Sequence, residues 1–268
     1  MPRQVNTPDL WRDVLPVPAP QGNKYDRGHA VIVGAPELTG ATRLAADACM
    51  RVGAGLVTVA TPVRANIYRA ALPPEIMVRD ASFVGLKKAA AILIGPGGFD
   101  PTLLTWFVET FGDRFVVLDA EAVFAAVQQG LTFKNSCVLT PHQGEMENAF
   151  PELSGSRQHQ AYHAAQSIGA IVVLKGPQTI IANPDGQIVI NQHASPYLAT
   201  AGSGDVLAGM ITGLVAQTMP PFEACCAAVW IHAEAALRVG PGLVASDLPR
   251  MIPGIFKGLL PETDSGMS

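Results

Sequence analysis

Charge is what this chain has least of. Only 15% of its 268 residues are Asp, Glu, Lys or Arg, and the formal net charge is −4. So mild a balance gives no electrostatic reason to seek nucleic acid or an anionic membrane, and any phosphate bound must be held by local geometry. Cysteine is scarce too. Cys49, Cys137, Cys225 and Cys226 show no metal-ligand spacing and sit in apolar runs, where cysteine is ordinarily a small core residue, so a reducing compartment is expected. No apolar run approaches the ~18 residues of a membrane span. The N-terminus has no signal core, being polar from Asn6 to Asp13 and proline-rich from Pro16 to Pro20. A cytoplasmic protein without nucleic-acid or membrane partners is therefore expected. Three fingerprints are missing as well. There is no Gly-rich loop ending in Lys-Ser/Thr, and Gly34-Ala35-Pro36 lacks the dinucleotide glycine spacing. Gly202-Ser203-Gly204 is too compact for a hydrolase nucleophile elbow.

Apolar residues, at 49%, are plentiful enough for a large interior. Residues 1–27 read as a lead-in arm and residues 28–268 as a single domain. Within that domain short apolar runs alternate with helical stretches. The runs Ala30–Val33, Leu56–Ala60, Ala91–Ile94, Phe115–Leu118, Cys137–Leu139 and Ile171–Leu174 each stop at glycine, proline or a polar residue. That alternation predicts an α/β fold, a doubly wound and mostly parallel sheet with helices on both faces. Thr179–Ala182 and Gln187–Asn191 flank Asn183-Pro184-Asp185-Gly186, which predicts a hairpin. Ligands of such sheets bind beyond the C-terminal strand ends.

The polar residues collected at those ends are the candidates for chemistry. Foremost is Gly202-Ser203-Gly204-Asp205, followed by a run without a breaker until Pro220 that is apolar on nearly every face and so predicts a buried helix. Gly209 and Gly213, four apart, would let another backbone approach. The start of such a helix is an anion hole, and Asp205 at its mouth is either a helix cap or a base that takes a proton from an attacking hydroxyl. Thr39-Gly40-Ala41 and Gly95-Pro96-Gly97 are permissive turns. His142 and Glu145 offer an imidazole and an acid three apart. Lys175-Gly176-Pro177-Gln178-Thr179 suits a nucleotide's phosphates or ribose, or else Lys175 is simply an exposed strand-end lysine. Asp119-Ala120-Glu121 is a weaker candidate, Asp119 being either a crevice residue or a cap of the helix that follows it.

Taken in order, KYDRGHAVIVG, TGATRLAADACMRVGAGLVTVATP, GPGG, VLDAEA, LTPHQGE, VVLKGPQT and LATAGSGDVLAGMITGLVAQ resemble the ADP- or ATP-dependent NAD(P)H-hydrate dehydratases, metabolite-repair enzymes of ribokinase-like fold. The resemblance runs from Lys24 nearly to the C-terminus. It implies that Ala41, Gly97, His142 and Asp205 contact the hydrated cofactor, and that Lys175, Gly176, Pro177, Gln178, Thr179 and Gly204 contact ADP or ATP. It implies Asp205 as base, with the amides of Gly202, Ser203 and Gly204 holding the transferred group, and Mg2+ on the nucleotide with Glu145 in its outer shell. A homo-oligomer is expected. Some members carry an added epimerase domain; the arm before Lys24 is too short for one, so a separate epimerase is the expected functional partner. Two departures stand out: Ala35 where members often have glycine, and His193-Ala194-Ser195-Pro196-Tyr197 where many have an Asn-rich turn. The competing reading is a small-alcohol kinase of the same superfamily, with the same base.

Overall fold

Continuous apolar strands are stable only when both sheet faces are covered, and the chain is built to do that. The computed structural model describes residues 3–80, 88–111, 114–134 and 136–260. Its strands are β1 (Arg3–Val5), β2 (His29–Val33), β3 (Leu56–Thr61), β4 (Met77–Asp80), β5 (Ala91–Ile94), β6 (Phe115–Leu118), β7 (Cys137–Leu139), β8 (Ile171–Leu174), β9 (Thr179–Ala182) and β10 (Ile188–Asn191). They form one sheet in the order β1-β10-β9-β8-β7-β6-β5-β2-β3-β4. Every pairing is parallel except β8–β9 and β9–β10. This is the doubly wound, mostly parallel α/β architecture expected, with the predicted hairpin as its antiparallel flank.

The helices are α1 (Thr39–Arg51), α2 (Ala65–Ala71), α3 (Leu104–Phe111), α4 (Glu121–Gln128), α5 (Gln143–Ala149), α6 (Arg157–Ile168), α7 (Ser203–Ala216), α8 (Pro221–Val239) and α9 (Leu248–Leu259). Alternate strand residues face opposite ways, which divides the core in two. Ala30, Ile32, Val57 and Val59 pack with α1, α7, α8 and α9, whereas Val31, Val33, Ile92 and Ile94 pack with α3 to α6. Among the described residues no helix is long and apolar enough to cross a membrane.

Helix α7 is buried at every position from Val206 to Ala216, and Gly209 and Gly213 are what let it sit there. A Cβ on Gly209 would lie 2.1 Å from the Ala45 carbonyl oxygen, and one on Gly213 would lie 2.6 Å from that of Cys49. Both obstacles are α1 backbone, so neither can swing aside. Gly209→Ala is therefore expected to destabilise the fold by about 3 kcal/mol or more, at or above the top of the usual overpacking range, despite alanine's better helix propensity. A denaturant melt checks this; an unchanged midpoint would mean that α1 and α7 can separate freely.

The N-terminal segment departs from expectation in one respect. Rather than a lead-in, it contributes β1, paired in parallel with β10, and Trp11, which is 1% exposed in the core beside α8.

Candidate active site

Parallel strands bring their C-terminal ends to one edge, and five of them gather the expected residues there. The first contact is one the local pattern did not suggest. Asp119, after β6, is 3% exposed and accepts hydrogen bonds from Lys175 Nζ at 2.8 Å and Thr140 Oγ1 at 2.6 Å. It does not cap α4, whose N-cap is Ala120 without a side-chain bond. Lys175 also lies 3.8 Å from Glu145. Burial lowers the lysine's proton affinity, but Asp119 and Glu145 raise it and prevail, so Lys175 stays charged.

His142 and Glu145 form a reciprocal cap at the start of α5. The Glu145 amide donates to His142 Nδ1 at 3.1 Å, and the His142 amide donates to Glu145 Oε2 at 2.7 Å. This fixes the tautomer of a neutral ring, since Nδ1 accepts and Nε2 must hold the proton. The side chain is 60% exposed, with Nε2 3.5 Å from Glu145 Oε1. His142 is thus a structural cap whose outer edge remains open to a ligand.

At the start of α7, Gly202 turns the chain at φ +89°. The Ser203 amide is used internally, donating to Thr200 O at 3.3 Å, and the Ser203 hydroxyl donates to Leu198 O at 2.7 Å. The amides of Gly204 and Asp205 find no acceptor among the described residues. Of the three amides expected to hold an anion, that of Ser203 is therefore committed elsewhere, while Gly204 and its successor Asp205 face outward unpaired. Asp205 is the third residue of α7, and its carboxylate makes no capping bond. Burial, then the Asp119 charge, push its pKa up to about 7, with Lys175 pulling the other way and Glu145 adding to the rise. A carboxylate poised near neutrality beside open helix amides can accept a proton from a hydroxyl in an electrostatically prepared place.

On one side of this centre Gly97, at φ +79°, meets Ala41: a Cβ on Gly97 would lie 3.1 Å from that of Ala41 and 2.3 Å from Leu38 O. Thr42 ties the two loops, accepting from the Ala35 amide and donating to Pro96 O. On the other side is a cavity of about 620 Å³, whose walls include Lys175, Gly176, Pro177, Thr179, Ser203 and Gly204. Gln178 does not line it; its carbonyl accepts from Arg157. Lys175 and Gly204 are common to both sides, the lysine Nζ standing 3.2 Å from where a Gly204 Cβ would be. Asp205, His142, Ala41 and Gly97 lie outside the cavity walls.

Three participants were missed. Arg157, on α6, donates to the carbonyls of Leu174, Lys175 and Gln178 and so braces the 174–178 loop. His232, on α8, lines the cavity. Burial, opposed by a backbone bond at Ser203 and aided by Lys175, lowers its pKa to about 4, so the ring is neutral, and its Nε2 has no partner among the described residues. A lone histidine in an Ala- and Cys-rich helix was the only signal. His193 and the residues after it, noted only as a departure, form much of the far wall.

No group of three or more His, Cys, Asp or Glu among the described residues could hold a metal. Asp119 is taken by Lys175, and Glu145, expected in a magnesium outer shell, is committed to the α5 cap. These side chains do not make a direct ligand set for a divalent ion, whereas an outer-shell contact through water needs no free ligand position on Glu145. A nucleotide's own phosphates would have to carry it, as Mg2+ commonly allows.

Comparison with known proteins gives the family of the chain. The family model for NAD(P)H-hydrate dehydratase matches residues 29–252. The ADP-dependent (S)-NAD(P)H-hydrate dehydratase of Xanthomonas campestris pv. campestris is 32% identical, with 91% of this chain and 93% of that protein covered. The chain spans about half the length of the bifunctional NAD(P)H-hydrate repair enzymes that it also matches. Among solved structures, a ribokinase-like superfamily protein of Enterococcus faecalis V583 superposes at TM-score 0.87 with 26% identity, 96% of each chain being covered. The Bacillus subtilis ADP/ATP-dependent NAD(P)H-hydrate dehydratase, co-crystallized with ATP/Mg2+, superposes at 0.80 with 29% identity, covering 96% of this chain and 99% of that one. With the family model spanning β2 to α9 and a full-length relative above 30% identity, the chain belongs to the NAD(P)H-hydrate dehydratase family.

Proposed function

We propose that this chain, as a single domain in which the N-terminal strand β1 belongs to the same sheet, removes water from hydrated NADH and NADPH with ADP or ATP as co-substrate. The observation that carries the reading is Asp205: a carboxylate with a pKa of about 7 and no capping bond, at the open amides of α7. A carboxylate beside a phosphate is unfavourable unless it has a proton to take. Here that proton is on the ring hydroxyl of the hydrate, and its removal lets the oxygen attack the terminal phosphorus. The amides of Gly204 and Asp205, with Lys175, face the charge that builds on the transferred group. Hydroxide is a poor leaving group and phosphate a good one. Phosphate then leaves with the electron pair of its C–O bond, a proton is lost from the neighbouring ring carbon, and the double bond returns. The cavity bounded by Lys175, Gly176, Pro177 and Thr179 takes the nucleotide, and the Ala41–Gly97 side with the outer edge of His142 takes the hydrated ring. A separate epimerase would supply the epimer that fits, and magnesium would arrive with the nucleotide.

The direct test mixes protein, hydrated NADH, and ADP or ATP, and follows the return of nicotinamide absorbance. A phosphorylated hydrate that accumulates without that absorbance would make the chain a kinase instead.

The cap at His142 allows its two roles to be separated. Asparagine is as good an N-cap as any residue, and alanine is a poor one. His142→Ala is expected to cost about 1 kcal/mol of stability and His142→Asn close to none. Both should raise KM for the hydrate by roughly threefold to tenfold, the worth of one neutral hydrogen bond. Kinetics on both variants beside thermal melts decide it. A hydrate KM unchanged in both would leave His142 a cap alone.

A further inference from the structure

The far wall of the cavity is built around one ring. His193 lies parallel to Trp230, with centroids 4.6 Å apart and planes 13° apart, and its Nε2 donates to Glu234 Oε2 at 2.9 Å. Glu234 is itself held by Arg238 Nε at 2.8 Å. The main chain beneath the ring is fixed by a separate buried chain of amides. Trp11 Nε1 donates to Asn6 Oδ1 at 3.1 Å, Asn6 Nδ2 donates to Asn191 Oδ1 at 2.8 Å, and Asn191 Nδ2 donates to the carbonyl of His193. Asn6 also reaches Cys226 O on α8 at 2.8 Å. Trp11 closes the circuit, its ring 5.8 Å from that of Trp230. Ring and backbone of His193 are thus both immobilised, through elements as distant in sequence as the N-terminal segment and α8.

So many fixed groups supporting one half-buried ring call for a reason. Trp230 does not line the cavity, and it covers one face of the His193 ring; His193 itself is a wall of the cavity, with Pro196, Leu198, Leu207, Val229 and Ala233 among the others. An apolar slot beside an aromatic ring suits a flat heterocycle, and the polar end with Lys175, Ser203 and Gly204 suits phosphates. We propose that His193 is the base-binding residue of the nucleotide site, the ring on which the base stacks, held for that purpose by Trp230, Glu234 and the Asn6–Asn191 pair. This rests on the nucleotide reading of the cavity. Because the ring is already ordered, little side-chain entropy is lost when a base settles on it. The role belongs to His193 rather than to its loop in general, since the neighbouring Ala194, Ser195 and Pro196 offer no π face and Tyr197 lies outside the cavity walls.

Calorimetry with ADP on the wild type and on His193→Ala, His193→Leu and His193→Phe tests it, with inorganic tripolyphosphate as the baseless probe. Alanine and leucine should weaken ADP by about fivefold to a hundredfold, the span of base stacking on an aromatic ring. Phenylalanine, which keeps a face over Trp230, should retain most of the ADP affinity, and tripolyphosphate should not distinguish the variants. Leucine fills the space, so it decides the matter even if alanine fails to fold. If the leucine variant binds ADP as the wild type does, or tripolyphosphate weakens in step with ADP, the stacking role is wrong while the nucleotide site stands. A wild type that binds no ADP or ATP removes both.

Discussion

Asp205→Asn lowers turnover by roughly 10²- to 10⁴-fold, the usual scale of a general base, while nucleotide affinity changes little. An asparagine amide keeps the shape of the carboxylate and its place on α7 but cannot accept the hydroxyl proton. Asp205 makes no capping bond, so the substitution disturbs no helix terminus. The pH dependence is a second, independent signature. Only the ionised form is a base, and burial with the Asp119 charge has raised its pKa to about 7. Wild-type turnover should therefore fall by about tenfold per pH unit below neutrality and level off above it, and the residual activity of the variant should lose that limb. Wild-type turnover in the variant at saturating substrates would end the mechanism.

The same raised pKa makes a claim about stability, opposite in sign to the usual carboxylate. The folded protein favours the neutral acid, so between the unfolded value near 4 and the folded value near 7 the native state binds the extra proton. Stability from this group is full below about pH 4, is lost as pH climbs, and is gone above about pH 7. Asp205→Asn removes that loss. The inactive variant should be more stable than the wild type at pH 8, by on the order of 1–4 kcal/mol, and equal to it below pH 4. As the proposed base, Asp205 is retained against the interest of the fold, the trade expected at an active site.

How much of this could be read from residues alone depends on where each signal resides. The central strands were legible because a strand covered on both faces must be apolar at every position and must end at a breaker, as Ala91–Ile94 does before Gly95-Pro96. Helix α7 was legible for the same reason. β1 was not, because Arg-Gln-Val at a sheet edge carries no periodicity and is defined only by its partner β10. α6 also escaped notice: it buries small alanines, Ala161, Ala164 and Ala165, among glutamines and histidines, a face too weak to stand out. At the site, proximity along the chain served well for the His142–Glu145 cap and badly for Asp119. Its partner Lys175 is 56 residues away, so local pattern left it a weak candidate that could equally be a helix cap. Each of the two stood at a strand end, and what was missing was the strand order β8-β7-β6, which sets them on either side of β7.

That pairing changes what loss of Lys175 should do. As a nucleotide contact alone, Lys175→Ala would weaken ADP or ATP and leave the fold untouched. With Asp119 3% exposed and the Lys175 ammonium 2.8 Å away, the variant instead leaves a carboxylate buried without its counter-charge. Breaking such a pair from one side costs about 3–5 kcal/mol. At roughly 2–4 °C per kcal/mol for a domain of this size, the melting temperature should fall by about 10 °C. Removing the acid as well, in Lys175→Met with Asp119→Asn, should restore most of the loss, because the cost lies in the stranded charge and not in the missing attraction. Catalysis gives the finer test. Lys175 is the one group that holds down the raised pKa of Asp205, so in the single variant the acid limb of the turnover profile should move to higher pH. Nucleotide affinity falls too, since Lys175 walls the cavity. An exposed strand-end lysine would produce none of these effects. A pure phosphate contact would produce only the last, with melting temperature and acid limb unmoved, and that outcome would show that the Asp119–Lys175 pair is formed without consequence for either the fold or the base.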